Sequence, residues 1–283
     1  MIVKTTLVLL ALCSASRAAD WQSFMKDASR TGSAAEQAYQ PSGVSFAPAW
    51  QFGGDGAFIS SPIVYNGIVY AGSTSGKIYA LAAFTGEVLW TKALGGRIES
   101  TPAASGGRVY APCENGRLYV LSALTGEEIG HYDTGSQDVS SPVIVAGKLY
   151  CASGFPGNHI YCLDITAKTP TLAWKTGAGA PVFSSPAVYN GEVYAGANNG
   201  RFYCLDAETG TVKWFIQTEG GIKFSSMAFS GGIVYCAPGG SDRKVHAFDI
   251  STHQEKSGWN TVDIGTNPTM TSSISVAGGT LYL

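Results

Sequence analysis

At 283 residues the chain is long enough for one or two ordinary domains, and a large repeat fold can use this length as a single body. Charged residues make up only 13% of the chain and the formal net charge is -2, so there is no basic surface for nucleic acid. The composition therefore favours one domain and excludes a nucleic-acid-binding role.

Residues 1–18 have the pattern of a signal peptide. Lys4 supplies a positive start, an apolar run from Leu7 to Cys13 follows, and small residues near Ala18 suit cleavage. The run is too short to span a bilayer, and we expect no transmembrane segment in the mature chain. An alternative makes Cys13 a lipid anchor, although Leu12 is bulky for a lipobox. The sequence predicts an exported protein that is periplasmic or extracellular, or membrane-associated if Cys13 is lipidated.

A lead-in segment over residues 19–45 precedes a repeat whose landmark is a Ser-Ser-Pro triplet. The copies follow one another in steps of 40, 40, 44, 41 and 47 residues. A period near 40 to 45 residues is typical of a four-stranded propeller blade. The landmarks are Ser60-Ser61-Pro62, Ser100-Thr101-Pro102, Ser140-Ser141-Pro142, Ser184-Ser185-Pro186, Ser225-Ser226-Met227 and Ser272-Ser273-Ile274.

The first repeat shows how one blade is built. Two β-branched and aromatic runs flank Asn66-Gly67, which is a strong hairpin signal. Further turns at Ser75-Gly76 and Thr85-Gly86 give four strands in about 40 residues. We predict an all-β propeller over residues 46–283 with five full repeats and a truncated sixth. Because the sixth stops after two strands at Leu283, we expect the chain to be a fragment of a longer protein.

Tryptophans mark the closing strand of most repeats, although Gly130 takes this place in the second one. Trp50 stands 12 residues before Pro62, as Trp90 does before Pro102, but no other strands of its blade lie upstream. This favours a ring in which the N-terminal strand completes the last blade. The closing tryptophans are Trp50, Trp90, Trp174, Trp214 and Trp259.

Cys151 and Cys162 fall on consecutive predicted strands of the third repeat. A cross-strand disulfide between them is one interpretation. The other is a pair of free buried thiols, because Ala71 and Ala80 occupy the same positions in the first repeat and indicate a small buried site.

Residues 80–90 and 204–214 resemble the tryptophan-docking repeat of pyrroloquinoline-quinone (PQQ)-type propellers, and residues 20–32 resemble the lead-in of such propellers in exported bacterial proteins. The resemblance implies that the five closing tryptophans pack between blades. It covers non-enzymatic binding and scaffold proteins, such as the lipoprotein subunit of the outer-membrane β-barrel assembly machine. It also covers quinoprotein dehydrogenases, which hold the quinone and Ca²⁺ on the ring axis.

The sequence lacks what the resemblance implies for the dehydrogenases. Their vicinal cysteine pair is absent, axial carboxylates for Ca²⁺ are few, and the four histidines lie at unrelated repeat positions. We therefore predict no cofactor and no metal site, and a binding or scaffold module for a protein or another macromolecule of the cell envelope. The alternative is a fragment of a PQQ-dependent dehydrogenase that uses PQQ and Ca²⁺.

Charged residues near the start of the innermost strands are the candidate ligand contacts. Arg97, Glu99, Asp138 and Lys223 fall close to the landmarks, where most repeats have Ile, Val or Phe. Charge at an apolar position favours a ligand site at the mouth of the channel. The alternative is a solvated lining whose charges neutralise each other.

Overall fold

A computed structural model describes residues 6–9, 20, 22–28, 48–137, 139–223, 226–239, 242, 244–256, 273–277 and 279–282. Cys13, Asp138 and Trp259 lie outside these ranges. Over the described residues the chain has strands and turns, and no helix there is long and apolar enough to cross a membrane.

Five consecutive four-stranded antiparallel sheets form the blades. Before them come β1 (Thr6–Leu9) and β2 (Trp50–Gly53). Blade 1 has β3 (Ile63–Tyr65), β4 (Ile68–Gly72), β5 (Lys77–Ala82) and β6 (Val88–Ala93). Blade 2 has β7 (Ala103–Ser105), β8 (Arg108–Cys113), β9 (Arg117–Ser122) and β10 (Glu128–Asp133). Blade 3 has β11 (Val143–Val145), β12 (Lys148–Ala152), β13 (His159–Asp164) and β14 (Thr171–Gly177).

Blade 4 has β15 (Ala187–Tyr189), β16 (Glu192–Gly196), β17 (Arg201–Asp206) and β18 (Val212–Gln217). Blade 5 has β19 (Ala228–Ser230), β20 (Ile233–Cys236), β21 (His246–Asp249) and β22 (Gln254–Glu255). β23 (Ser275–Ala277) and β24 (Thr280–Tyr282) begin a sixth blade. The predicted all-β propeller of five blades and the start of a sixth is confirmed.

The first strands of successive blades contact one another around the centre of the ring, for example β3 with β7 and β7 with β11. The second and third strands of each blade are buried on both faces, because the neighbouring blades cover them. The fourth strand is the outermost and is largely exposed, as in β6. The hydrophobic core therefore lies between blades, and no blade has a core of its own.

Three of the closing tryptophans contact the next blade through one repeated hydrogen bond. The indole N–H groups of Trp50, Trp90 and Trp174 donate to carbonyl oxygens 33 residues further on, in the next blade, at 2.9 to 3.0 Å. The ring also packs on the glycine of the next Thr-Gly turn. A Cβ at Gly86 would lie only 2.6 Å from Cδ2 of Trp50, so glycine is required there.

Blade 2 has Gly130 in place of this tryptophan, and an arginine supplies the missing donor. Arg108 donates through Nη1 to the carbonyl oxygens of Ile165 at 3.2 Å and Ala167 at 2.5 Å. The amide N–H of Ile165 donates to the first turn of its own blade, and the amide N–H of Ala83 does the same in blade 1. Ile165 and Ala83 therefore occupy equivalent positions, and their carbonyl oxygens are equivalent acceptors. Arg108 therefore replaces the indole N–H at this junction.

The junction between blades 4 and 5 differs again. The Trp214 indole N–H is buried without a hydrogen-bond partner in the described part of the chain, and its ring lies 4.7 Å from that of His253. Tyr194 donates to the Glu192 carboxylate, which Lys213 also binds at 2.7 Å. Burial alone raises the pKa of Glu192, but these two hydrogen bonds bring it below its ordinary value.

β2 pairs with β1, and the predicted completion of the last blade by the N-terminal strand stays a prediction. Trp50–Gly53 presents a strand edge whose N–H and C=O groups need partners. The extended run Thr6–Leu9, which lies inside the predicted signal peptide, provides them in this structure.

The cross-strand disulfide is not formed. Cys151 lies opposite Tyr161, and Cys162 lies opposite Tyr150, so the two thiols point to opposite faces of the sheet. Each belongs to a different core cluster, and both are free and buried. Burial raises the pKa of Cys151 to about 12 and that of Cys162 to about 11.

The strand register and the burial of the thiols predict how the cysteines react. The five described cysteines, all free and buried, should react with a disulfide reagent such as DTNB at pH 8 only after unfolding. A pKa near 12 lowers the thiolate fraction of Cys151 by roughly a thousandfold. If the unfolded, unreduced chain lost two of these thiols, the register described here would be contradicted.

The five first hairpin turns share a backbone with two consecutive positive φ angles, typical of a type I′ turn. Asn66-Gly67 and Asn190-Gly191 suit it, but blade 3 has Ala146-Gly147 there, with φ of 49° at Ala146. A left-handed conformation costs an ordinary residue roughly 1–2 kcal/mol, and asparagine tolerates it better.

We therefore expect Ala146→Asn to raise the free energy of unfolding by about 1 kcal/mol. Urea denaturation with an unchanged m-value would measure the gain. The matched reverse change, Asn190→Ala in blade 4, should lower stability by a similar amount. Equal stability of both variants and the parent would mean that these turns do not carry the strain.

Candidate functional site

The second hydroxyl residue of each landmark links one blade to the next. The amide N–H of this residue donates to the hydroxyl oxygen of the equivalent residue in the following blade. We call this series of bonds the hydroxyl relay. Its described members are Ser61 to Thr101 at 3.1 Å, Thr101 to Ser141 at 3.0 Å, Ser185 to Ser226 at 3.1 Å and Ser226 to Ser273 at 3.0 Å.

In blades 1 and 4 the first serine of the landmark bonds within its own blade, whereas Ser100 of blade 2 donates to the Val139 carbonyl at the entry to blade 3. Ser60 and Ser184 donate to the carbonyl oxygens of Gly72 and Gly196 at 3.1 and 2.8 Å. In each case the partner lies 12 residues further on, at the end of the second strand. These bonds hold the segment that enters the blade against the strand behind it.

An axial cavity of about 300 Å³ lies among the landmarks. Landmark hydroxyls from all five blades line it, together with the apolar side chains of Ile59, Val139 and Phe183. Phe24 also lines it, although it comes from the N-terminal lead-in and not from any blade. The cavity is thus a mixed surface of hydroxyl groups and apolar side chains at the centre of the ring.

Two of the four predicted rim residues meet at the mouth of this cavity. Arg97 donates through Nε to Glu99 at 2.8 Å and lies 3.5 Å from a carboxylate oxygen of Glu114. The hydrogen bond with Glu99 raises the pKa of Arg97. Glu99 and Glu114 line the cavity, whereas Lys223 is exposed and is not part of the lining. Asp138 lies outside the described residues, so its place at the rim stays a prediction.

Sequence reasoning missed Glu114, Phe24 and the relay. Glu114 directly precedes Asn115-Gly116, a pair typical of a tight turn, and its position beside this turn was the available signal. Phe24 carries no repeat signal, because its segment occurs once. The serines were recognised as a spacing marker, but their bonds join residues 40 or more apart and were not readable from the sequence.

The cavity does not suit a quinone held by Ca²⁺. Ca²⁺ takes six to eight oxygen ligands, often from several carboxylates. Among the residues that line the cavity, the carboxylates are Glu99 and Glu114, and both face Arg97. Within the described ranges no group of three or more His, Cys, Asp or Glu side chains is placed to hold a metal ion.

A family model described as "Outer membrane protein assembly factor BamB" matches residues 21–168 and again residues 135–282. Among solved structures, the chain is similar to BamB from Moraxella catarrhalis, with 20% identity and a TM-score of 0.63 over 74% of this chain and 66% of that one. It is also similar to the computationally designed Ika8 protein, with 18% identity and a TM-score of 0.65 over 75% and 64% of the two chains.

A third similar structure is the quinohemoprotein alcohol dehydrogenase from Comamonas testosteroni, with 17% identity, a TM-score of 0.69, and coverage of 86% of this chain and 49% of that one. No curated protein matches the sequence. At such identities these likenesses show the fold alone, and the chain spans about two thirds or less of the length of these structures.

The relay predicts the effect of removing one hydroxyl. Ser141→Ala leaves the buried Thr101 amide without its acceptor, which should lower the free energy of unfolding by about 1–3 kcal/mol. Ser141→Thr keeps the hydroxyl, as blade 2 does with Thr101, and should stay within about 0.5 kcal/mol of the parent. Chemical denaturation of the three proteins measures this. Equal losses in the two variants would show that packing, and not the hydrogen bond, is responsible.

Proposed function

Because the chain belongs to the family of the outer membrane protein assembly factor BamB, we propose that it is an exported, non-enzymatic propeller that binds or scaffolds a protein of the cell envelope. The leader-like residues 1–18 support export. In this proposal the closing tryptophans have a structural docking role between blades. One propeller scaffold hosts many functions, so the chemistry of the site decides which of them this chain can perform.

One observation carries the proposal: the described polar groups around the axial cavity are largely engaged with each other. The relay hydroxyls accept backbone amides of the preceding blade, and Arg97 pairs with two carboxylates. Catalysis needs a nucleophile, a base or a metal ion that can interact with a substrate. Here the relay hydroxyls use their acceptor side to join the blades, which favours a module that acts through its outer surface.

The face that bears the first and third turns of each blade offers apolar contacts for a protein partner. Phe84 and Leu124 occupy the same position in the Thr-Gly turns of neighbouring blades and are 72% and 77% exposed. Blade 4 has Glu208 there, which binds Lys148. Large exposed aromatic and aliphatic side chains are typical anchors of protein interfaces. We therefore place the partner contact at blades 1 and 2.

The alternative function, a fragment of a quinone-dependent oxidoreductase, gains no support from the similarity to the dehydrogenase, because that similarity is one of fold. Its cofactors also need axial ligands that the cavity residues do not provide. Pyrroloquinoline quinone and Ca²⁺ therefore have no role in the proposed function.

Site-specific photo-crosslinking in cells tests the proposal. A photoreactive phenylalanine at position 84 or 124 should give an adduct with an envelope protein, and the equivalent position 208 should not. The Phe84→Ser and Leu124→Ser double variant should weaken the interaction about tenfold or more, since it removes two apolar anchors. Adducts from position 208 alone would place the contact elsewhere.

The purified full chain is used to test the alternative function, quinone-dependent oxidation. Titration with pyrroloquinoline quinone in the presence of Ca²⁺, followed by absorbance, should show no stoichiometric uptake. Stoichiometric binding would contradict the scaffold function, whatever the crosslinking result.

A further inference from the structure

The lead-in segment crosses the centre of the ring. At its start, the Asp20 carboxylate accepts the amide N–H of Asn66 at 2.9 Å, at the first turn of blade 1. Further along, the segment accepts hydrogen bonds from the first strands of blade 2 and blade 4. Residues 20 and 22–28 thus join three blades that are separate in sequence.

Both strand contacts use main-chain atoms of the segment. Ala104 in β7 donates its amide N–H to the carbonyl of Gln22 at 2.8 Å, and Val188 in β15 donates to that of Ala28 at 2.7 Å. β7 and β15 are edge strands of their sheets. An edge strand has backbone groups that can pair with any extended chain, so these contacts do not depend on the sequence of the occupant.

Phe24 gives the segment its side-chain anchor. It is partly buried and lines the axial cavity beside the landmark hydroxyls. A tight turn follows it, closed by a 3.0 Å bond from the Lys26 amide to the Ser23 carbonyl, with positive φ angles at Met25 and Lys26. Ser23 itself is buried. The turn places the aromatic ring in the cavity between the two main-chain contacts.

We propose that the inner edges of β7 and β15 and the axial cavity form a binding site for a peptide that makes a tight turn and carries an aromatic side chain, and that the protein's own lead-in occupies it. Main-chain bonds to sheet edges with one side-chain pocket are the elements by which sheets bind peptides. This site is separate from the Phe84 and Leu124 contact, and it does not depend on the compartment or the partner proposed above.

The covalent link explains how so few contacts hold the segment. A tethered ligand has an effective concentration in the millimolar range, so a modest intrinsic affinity keeps the site filled. A separate peptide at micromolar concentration then competes poorly with the intact lead-in. Weakening the tethered occupant should therefore open the site to a peptide of the same sequence.

The test uses the full chain, a Phe24→Ala variant and a labelled peptide with the sequence of residues 20–28. In Phe24→Ala, hydrogen exchange at the Ala104 and Val188 amides should accelerate about tenfold or more, because the anchor is lost. The labelled peptide should bind this variant at least about ten times more tightly than the parent, and should slow the exchange again. Phe84→Ala, which removes an exposed phenylalanine outside the cavity, should match the parent in both measurements.

One further variant and one further peptide keep the test decisive. If Phe24→Ala does not fold, Asp20→Ala removes the bonds that this carboxylate accepts from Asn66 and Gln22 and should show the same changes at smaller size. A peptide with alanine at the Phe24 position should not bind. The proposal is overturned if the two amides exchange faster but no peptide binds, since the lead-in would then be a permanent strap. Unchanged exchange in both variants would overturn it as well.

Discussion

A single constraint underlies this architecture: a blade of four short strands cannot bury its own faces or satisfy its own inner edge. The hydroxyl relay meets the second need at the centre, where a serine or threonine hydroxyl accepts the amide N–H of the preceding blade at four described junctions. The apolar faces of the second and third strands then fill the space between blades. The cavity, its rim and the lead-in contacts all depend on the position that the relay gives the first strands.

The outer junctions between blades also need hydrogen-bond donors, and different side chains provide them. A carbonyl of each Thr-Gly turn region needs a donor, because an unsatisfied buried acceptor is costly. An indole N–H provides it at three junctions, and the Tyr70 and Tyr150 hydroxyls add to two of these, at 2.9 and 3.3 Å. Burial raises the pKa of both tyrosines, which keeps them protonated as donors. Arg108 shows that an unrelated side chain can supply the bond.

Local signals made the fold predictable from the sequence. Strand runs, Asn-Gly turns and the landmark spacing all act over fewer than 50 residues, so the blades and their hairpins were placed correctly. Contacts between blades were not predictable in the same way. The side-chain directions of Cys151 and Cys162 depend on the pairing register, which differs by one residue from the one a disulfide needs. Phe24 enters the cavity through a segment without a repeat, so no periodicity indicated it. Arg97 and Glu99 were found because charge is unusual at an apolar position.

The relay also has a direction, because each blade donates at one side and accepts at the other. Two blades therefore associate head to tail, with a backbone amide as donor and a hydroxyl as acceptor at the four described relay bonds. A duplicated or deleted blade would leave the same kind of bond at the relay. The outer junctions, whose donors differ from blade to blade, would have to adapt. The wedge angle of a blade then limits how many blades the ring contains. The hydrogen bonds at the inner edge of a blade do not set this number.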